Sequence, residues 1–140
     1  MSFGKVLVAL DGSEHSHRAL AAAKELASLS DGELRVVHVR EVDAAFGRGG
    51  PLEVENEDTA QKYLRDTLTE LSDSHRAATG VVRASPAGRI AVEITEEAVG
   101  WDASVIVVGS RGLNSLAAAV LGSIATKVIH LSKVPVLVVH

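Results

Sequence analysis

The chain contains no cysteine, and only 3% of its 140 residues are aromatic. The absence of cysteine excludes disulfide bonds and every metal site built on thiolates. No apolar run reaches the roughly 18 residues that a membrane-spanning helix needs, and the first residues enter a strand-like segment without a charged and then apolar leader. We therefore expect a soluble, cytoplasmic protein whose core is filled by aliphatic side chains.

Clusters of basic residues are also lacking. The formal net charge is −4, with 14 Lys and Arg against 18 Asp and Glu. Because basic patches mark proteins that bind nucleic acids or anionic membranes, neither is expected as a partner. The balance of 46% hydrophobic and 23% charged residues is typical of a globular chain. Residues 1–140 are therefore expected to form a single domain.

Five segments have the character of β-strands. Lys5–Leu10 and Ser104–Val108 are short apolar runs that do not alternate with polar residues, which is typical of parallel strands covered on both faces. Glu33–Val39, Gly80–Ala84 and Val134–Val139 are weaker candidates.

Helical periodicity separates these strands. The candidate helices cover Ser13–Leu29, Glu57–Ala78 and Gly88–Val99, and a fourth begins at Ser123. Ser13 suits a helix N-cap, and Gly100 suits a left-handed residue that closes the third helix. Alternation of strands and helices predicts an α/β fold with right-handed crossovers and helices on both faces of a parallel sheet.

One segment interrupts this alternation. Glu41–Glu55 contains three glycines and a proline and has few apolar residues. Such a composition is typical of a loop, so we expect a mobile loop after the second strand.

The glycines after the fourth strand carry the most functional information. The chain turns at Gly109 and Gly112, and nine residues later it reaches Gly122 and Ser123 at a helix start. Glycine lets backbone N–H groups approach an anion, and a helix N-terminus attracts phosphate. An ordinary strand-to-helix turn can use two glycines as well, so a phosphate site and a simple turn both stay open.

Better-known phosphate loops are absent. The chain has no G-x-x-x-x-G-K-[ST], and Leu10-Asp11-Gly12-Ser13 follows the first strand where a dinucleotide site would need G-x-G-x-x-G. No set of nucleophile, base and acid can be assembled from the spacing, and His15 and His17 face different directions on a helix, so they cannot readily share a metal. We predict no catalytic residue and no metal held by protein ligands alone.

The pattern Gly109-x-x-Gly112-(nine residues)-Gly122-Ser123 resembles the ATP-binding signature of the universal stress protein family. The segment Val8–Glu14 is similar to the first strand and loop of that family. His38-Val39 and Val134–Val139 match its second and last strands. The resemblance covers the chain from Lys5 to the C-terminus.

The resemblance implies a three-layer, Rossmann-like fold whose five parallel strands lie in the order 3-2-1-4-5. Ligands of such sheets bind where the crossovers leave in opposite directions, here at the carboxyl ends of strands 1 and 4. By resemblance, Asp11 contacts the nucleoside, Ala9 and Val39 wall the adenine, and the glycine motif surrounds the ribose and phosphates. The implied binding residues are Ala9, Leu10, Asp11, Val39, Val108, Gly109, Arg111, Gly112, Gly122, Ser123 and Ile124.

Several of these residues have simpler alternatives. Asp11 can be a turn residue, since Asp-Gly is a common turn pair. Arg111 can be a solvated surface side chain, and Ser123 can cap its helix. His38 in a strand is more often a satisfied, half-buried histidine than a base.

The function implied by the resemblance is that of an ATP-binding regulatory or stress-response protein, with Mg²⁺ or Mn²⁺ carried on the phosphates. Two alternatives stay open: a slow ATPase or other adenine-nucleotide-using enzyme, and a nucleotide-free dimeric interaction module. A homodimer is expected through Val134–Val139, an apolar edge strand with unpaired backbone groups that a two-fold partner can satisfy. Nothing in the sequence identifies a protein partner.

Overall fold

The computed structural model describes residues 3–47, 50–53, 55–72, 78–112 and 121–140. A short 3₁₀ turn covers Ala87–Arg89. The elements in these ranges are β1 (Lys5–Leu10), α1 (Glu14–Leu29), β2 (Glu33–Gly47), β3 (Gly50–Glu53), α2 (Glu57–Ser72), β4 (Ala78–Ser85), α3 (Ile90–Trp101), β5 (Val105–Gly109), α4 (Ser123–Leu131) and β6 (Val136–Val139).

Five parallel strands form the sheet in the order β4-β2-β1-β5-β6. Counted along the chain without the short β3, this is the predicted order 3-2-1-4-5. β1 lies at the centre, and the chain leaves it toward β2 on one side and reaches β5 on the other. The carboxyl ends of β1 and β5 therefore flank the switch point at which open α/β sheets bind ligands.

Helices cover both faces of the sheet. Val6 and Val8 pack with α1 and α2, whereas Leu7, the residue between them, packs with α3 and α4. Because both faces of β1 are buried, its sequence is a continuous apolar run. Aliphatic side chains make up the buried apolar core in the described residues, as the low aromatic content predicts. No helix in these ranges has the length and apolar character that crossing a membrane requires.

The expected loop at Glu41–Glu55 is instead largely a β-hairpin. β2 continues to Gly47, and β3 pairs with it antiparallel, with Val42 opposite Glu53 and a register shift before Gly47. Pairing two adjacent segments satisfies their backbone groups locally, so the hairpin needs no long apolar pattern. The cluster of glycines suited a hairpin turn as well as a loop.

The predicted ends of the second and third helices were wrong. Gly100 lies inside α3, and Asp102 is the left-handed residue that closes it, with φ 62°; Asp tolerates this conformation better than most residues. α2 ends at Ser72 within the described residues, and Ala78, predicted as its end, begins β4.

The last strand is also shorter than predicted. The Ser132 hydroxyl accepts the Val134 N–H at 3.1 Å and donates to the Val134 carbonyl at 2.7 Å, which holds Val134 in a turn. Pro135 has no N–H to donate to a ladder. β6 therefore begins at Val136. At the other end of the chain, Ser13 caps α1 as predicted, with its hydroxyl accepting the Ser16 N–H at 3.2 Å.

Two arginines fasten α3 to the sheet through Glu97. Arg35 on β2 donates to Glu97 at 2.7 Å, and Arg83 on β4 contacts Glu97 at 3.3 Å and Glu93 at 2.8 Å. The Glu97 side chain is only 13% exposed. Trp101, at the end of α3, lies under the Arg35 guanidinium, 5.3 Å from ring centroid to Cζ.

We predict that Glu97→Gln lowers the free energy of unfolding by about 1–2 kcal/mol, because it weakens two charge-assisted contacts in a partly buried place. Urea unfolding measures the change. The matched control is Asp66→Asn, which breaks the exposed Lys62–Asp66 pair on α2 and should cost no more than about 0.5 kcal/mol. Equal losses for the two variants would contradict the prediction.

Candidate functional site

Asp11 and Gly12 form the turn between β1 and α1. Asp11 Oδ1 accepts the Ser13 N–H at 2.9 Å, which ties this half-buried carboxylate to the start of the helix. Gly12 has φ 85°, a left-handed conformation that favours glycine. Asp11 is thus a turn residue, as its simpler reading held, and its carboxylate stands at the carboxyl end of the central strand.

Each glycine of the predicted motif lies where a Cβ atom would meet other parts of the protein. At Gly109 the Cβ would lie 2.8 Å from the His15 backbone, and at Gly112 it would lie 2.6 Å from Asp11 Oδ2. At Gly122 it would lie 3.1 Å from the Ser110 carbonyl oxygen. The glycines therefore let the turn after β5 close against the start of α1 and against the start of α4.

Ser110 links the end of β5 to the start of α4 and to the end of β6. It was not among the residues predicted from the sequence. The Gly122 N–H donates to the Ser110 carbonyl at 2.7 Å, and the Ser110 N–H donates to the Val139 carbonyl at 2.8 Å. Ser110 is buried. Its position between two motif glycines was the only sequence signal. These bonds bring the two halves of the glycine motif together beside the end of β6.

α4 begins at Ser123, as predicted. Gly122 is the N-cap, with extended φ −63° and ψ 156°, and Ser123 is the first helical residue and is exposed. Because glycine has no side chain, the N-cap residue itself gives no side-chain cap to the first N–H groups of α4. Ser123 is therefore not the cap of its helix.

Arg111 is half-buried, not a freely solvated side chain. Its Nη2 donates to His15 Nε2 at 3.0 Å. His15 lies in the first turn of α1, where its backbone also contacts Gly109. From the sequence, His15 was weighed only as a metal ligand, and its pairing with Arg111 was not predicted. The Arg111–His15 contact places a positive guanidinium beside the turn that carries the motif.

Most of the apolar residues in the predicted binding set lie on one face of the sheet. Ala9, Val39 and Ile124 are partly buried and pack with the cluster under α3 and α4, and Val108 is buried in the same cluster. Leu10 is different, because its buried side chain packs with α1 and α2 on the opposite face. Ala9, Val39, Ile124 and Val108 therefore lie on the same face of the sheet, and the Leu10 side chain lies on the other.

A polar cluster lies on that opposite face. His38 is 4% exposed, with Nδ1 at 2.8 Å from the Leu10 carbonyl and Nε2 at 3.0 Å from Glu55 Oε2. The Tyr63 ring lies 4.8 Å from the His38 ring. His38 is thus a hydrogen-bonded core histidine, as its simpler reading held. Among the described residues, no three His, Asp or Glu side chains lie together as metal ligands.

Residues 2–140 match the model of the universal stress protein family. The chain belongs to the universal stress protein family. Among its relatives, universal stress protein YxiE of Bacillus subtilis is 38% identical over 147 residues, which cover 99% of both chains.

Solved structures of this family share the fold. A universal stress protein in complex with cAMP has a TM-score of 0.72 and 25% identity, covering 100% of this chain and 99% of the other. A universal stress protein from Archaeoglobus fulgidus in complex with dAMP has a TM-score of 0.68 and 26% identity, covering 100% of each chain. The family and the fold implied by the glycine motif are thereby confirmed.

The pKa of the Tyr63 hydroxyl depends on its burial and on the nearby Asp11 carboxylate. The hydroxyl is enclosed, and no described residue meets it at hydrogen-bonding geometry. Burial raises its pKa above the ordinary 10.0, and the Asp11 carboxylate raises it further, although the nearby Gly12 backbone and Ser16 side chain oppose the rise.

We predict that the absorbance of tyrosinate, measured on the single tyrosine of the chain, gives a midpoint above 10.0 in the folded protein and close to 10.0 in urea. Because the folded-state pKa is raised, the protein should lose stability as the pH rises from 10.0 through that higher value. Tyr63→Phe should remove this alkaline loss, and Asp11→Asn should lower the midpoint. A folded-state midpoint at or below that in urea would contradict the prediction.

Proposed function

We propose that the chain binds an adenine nucleotide, ATP, at the carboxyl ends of β1 and β5. The observation that carries the proposal is the convergence of the glycine motif. Gly112 closes against Asp11, and Gly122 closes against Ser110, so the turn after β5, the carboxylate after β1 and the start of α4 border one crevice. A simple strand-to-helix turn would not require these three parts of the chain to meet.

Each part of the crevice suits a different part of the nucleotide. Ala9 and Val39 offer an apolar surface to adenine, and Asp11 offers a carboxylate to the sugar hydroxyls. The phosphates then face the first N–H groups of α4, where the helix dipole favours negative charge. Arg111 supplies a positive charge close to the same turn.

The two family members solved with cAMP and dAMP support adenine nucleotides as the ligand class. The choice of ATP rests on the complete glycine motif and on Arg111, since a triphosphate makes most use of a helix N-terminus and a guanidinium. Mg²⁺ or Mn²⁺ would then be carried mainly by the phosphates, with few protein ligands.

We further propose a regulatory role in the cytoplasm during stress rather than an enzymatic one. In this scheme, the bound nucleotide stabilises one conformation, because a ligand stabilises the state to which it binds. The crevice residues named above serve to bind and orient, and no nucleophile and base are paired among them.

The homodimer is proposed to form along β6. Within the described residues β6 pairs with β5 alone, so its outer backbone groups face away from the sheet. Leu137 is 41% exposed, and the other β6 residues are half-buried. A second β6 across a two-fold axis would pair these groups. Val139 also holds Ser110, so the dimer edge adjoins the glycine turn.

Gly122→Val tests the nucleotide site. A Cβ at this position presses on Ser110 and Arg111, so the turn and the start of α4 must separate, and we expect the affinity for ATP with Mg²⁺ to fall at least about tenfold, a loss of about 1.4 kcal/mol. Isothermal titration calorimetry measures this. The matched control is Gly100→Val, where a Cβ meets open space and the affinity should stay at that of the parent.

Mass spectrometry of small molecules released from the denatured protein separates the alternatives. ATP supports the proposal, ADP or AMP supports the slow enzyme, and no nucleotide, together with no binding of added ATP, supports the interaction module. A Gly122→Val variant that binds ATP as the parent does would mean that the phosphate position is wrong.

Leu137→Lys tests the dimer. Sedimentation of the parent should give twice the 14.6 kDa of one chain, and the variant should shift toward monomer because like charges would oppose each other across the two-fold axis. Leu29→Lys is the control, since Leu29 is 84% exposed at the far end of α1. A parent that is monomeric at tens of micromolar would contradict the dimer and leave the nucleotide site standing.

A further inference from the structure

His38 lies between two hydrogen-bond acceptors. Nδ1 is 2.8 Å from the Leu10 carbonyl oxygen, and Nε2 lies 2.5 Å and 3.0 Å from the two Glu55 carboxylate oxygens. A carbonyl and a carboxylate only accept, so both bonds form together only when each ring nitrogen carries a proton. The ring is then a buried cation whose charge is balanced by Glu55, as buried charges require.

Three groups of Glu55 form hydrogen bonds: its carboxylate, its N–H and its carbonyl. Together they fix the chain that follows the β2–β3 hairpin. Besides the bond of the carboxylate to His38, the Glu55 N–H donates to the Glu41 carbonyl at 3.1 Å. Its own carbonyl accepts from Arg40 Nη1 at 3.2 Å. The backbone bonds join Glu55 to the extended part of β2, and the carboxylate joins it to the core.

The same cluster supports the end of β1. Leu10, whose carbonyl binds His38, is followed directly by Asp11. Tyr63 from α2 packs on the His38 ring with its plane tilted by 52°, and its enclosed hydroxyl lies close enough to Asp11 for that carboxylate to raise its pKa. The polar cluster therefore backs the turn at Asp11 from the face opposite the apolar wall of the crevice.

We propose that doubly protonated His38 and Glu55 form a proton-dependent clasp that positions the turn at Asp11 for nucleotide binding; as regards binding, this rests on the proposed function. His38 and Glu55 are positioning residues, since neither borders the crevice face formed by Ala9 and Val39. The charged or titratable groups around the pair are Asp11 after β1, Arg40 on β2 and Tyr63 on α2.

Loss of the proton on Nε2 would break the clasp. The nitrogen lone pair would then face the Glu55 carboxylate, and two acceptors repel each other. Glu55 would leave the ring, and the Leu10–Asp11 end of β1 would lose its support. Nucleotide affinity should therefore fall when the clasp is broken.

AMP is a suitable probe, because its phosphate keeps a constant charge above about pH 7.5. At that pH we expect Glu55→Gln to bind AMP about tenfold more weakly than the parent, the size of one charge-assisted hydrogen bond. The side chain of Glu55 is 28% exposed, so this isosteric variant is expected to fold. Glu57→Gln, at an exposed position two residues away, should follow the parent.

Two measurements without nucleotide separate the clasp from the proposed function. The ¹⁵N chemical shifts of His38 in the unliganded protein at neutral pH should show a proton on both ring nitrogens. Glu55→Gln should also lower the midpoint of the Tyr63 titration, because the Glu55 charge contributes to its rise.

Each result decides one of the two ideas. If AMP and ATP bind at no pH, the proposed function and the positioning role fail together, and a doubly protonated ring still supports the clasp itself. A singly protonated ring overturns the clasp. Equal affinities of the parent and Glu55→Gln for AMP overturn the positioning role.

Discussion

The contact between Gly109 and the first turn of α1 is the constraint on which the rest of the crevice depends. Any side chain at this position would press into the His15 backbone, so the end of β5 reaches the helix only as glycine. From that contact the turn continues to Gly112 beside Asp11 and to Ser110 beside Gly122. The pairing of Arg111 with His15 follows from the same approach, because both residues lie next to the contact.

The last residues of β1 contact both faces of the sheet, because successive side chains of a strand point to opposite faces. Ala9 belongs to the apolar surface under α3 and α4, whereas Leu10 belongs to the core under α1 and α2. The backbone of Leu10 meets His38 on the polar side. Asp11 follows at the point where the strand ends, so its carboxylate can be influenced from the crevice and from the His38 cluster at the same time. This shared strand end is the physical basis for coupling the β2–β3 hairpin to the candidate site.

The elements of the fold were predictable where local pattern and burial agree. Lys5–Leu10 was recognised as a strand because both of its faces are covered, and Ser13 was recognised as a cap because its hydroxyl can reach a helix N–H three residues on. The hairpin formed by β2 and β3 was not predicted. Its two strands satisfy each other's backbone groups locally, so their sequence needs no apolar pattern that would indicate a strand. The end of α3 was missed because Asp102 takes the left-handed conformation in place of Gly100.

The residue pattern alone was sufficient for the alternation of strands and helices, because hydrophobic periodicity depends on neighbouring residues. The family and the strand order followed from the resemblance of the glycine motif, whose spacing is visible in the chain, to the universal stress protein family. The contacts inside the crevice depend on tertiary structure, because they join distant residues: Arg111 and His15 are 96 positions apart, and His38 and Leu10 are 28 apart. Hydrogen bonds act only over a few ångströms, so no local pattern records such pairs. They exist because parallel strands bring their carboxyl ends to one edge of the sheet.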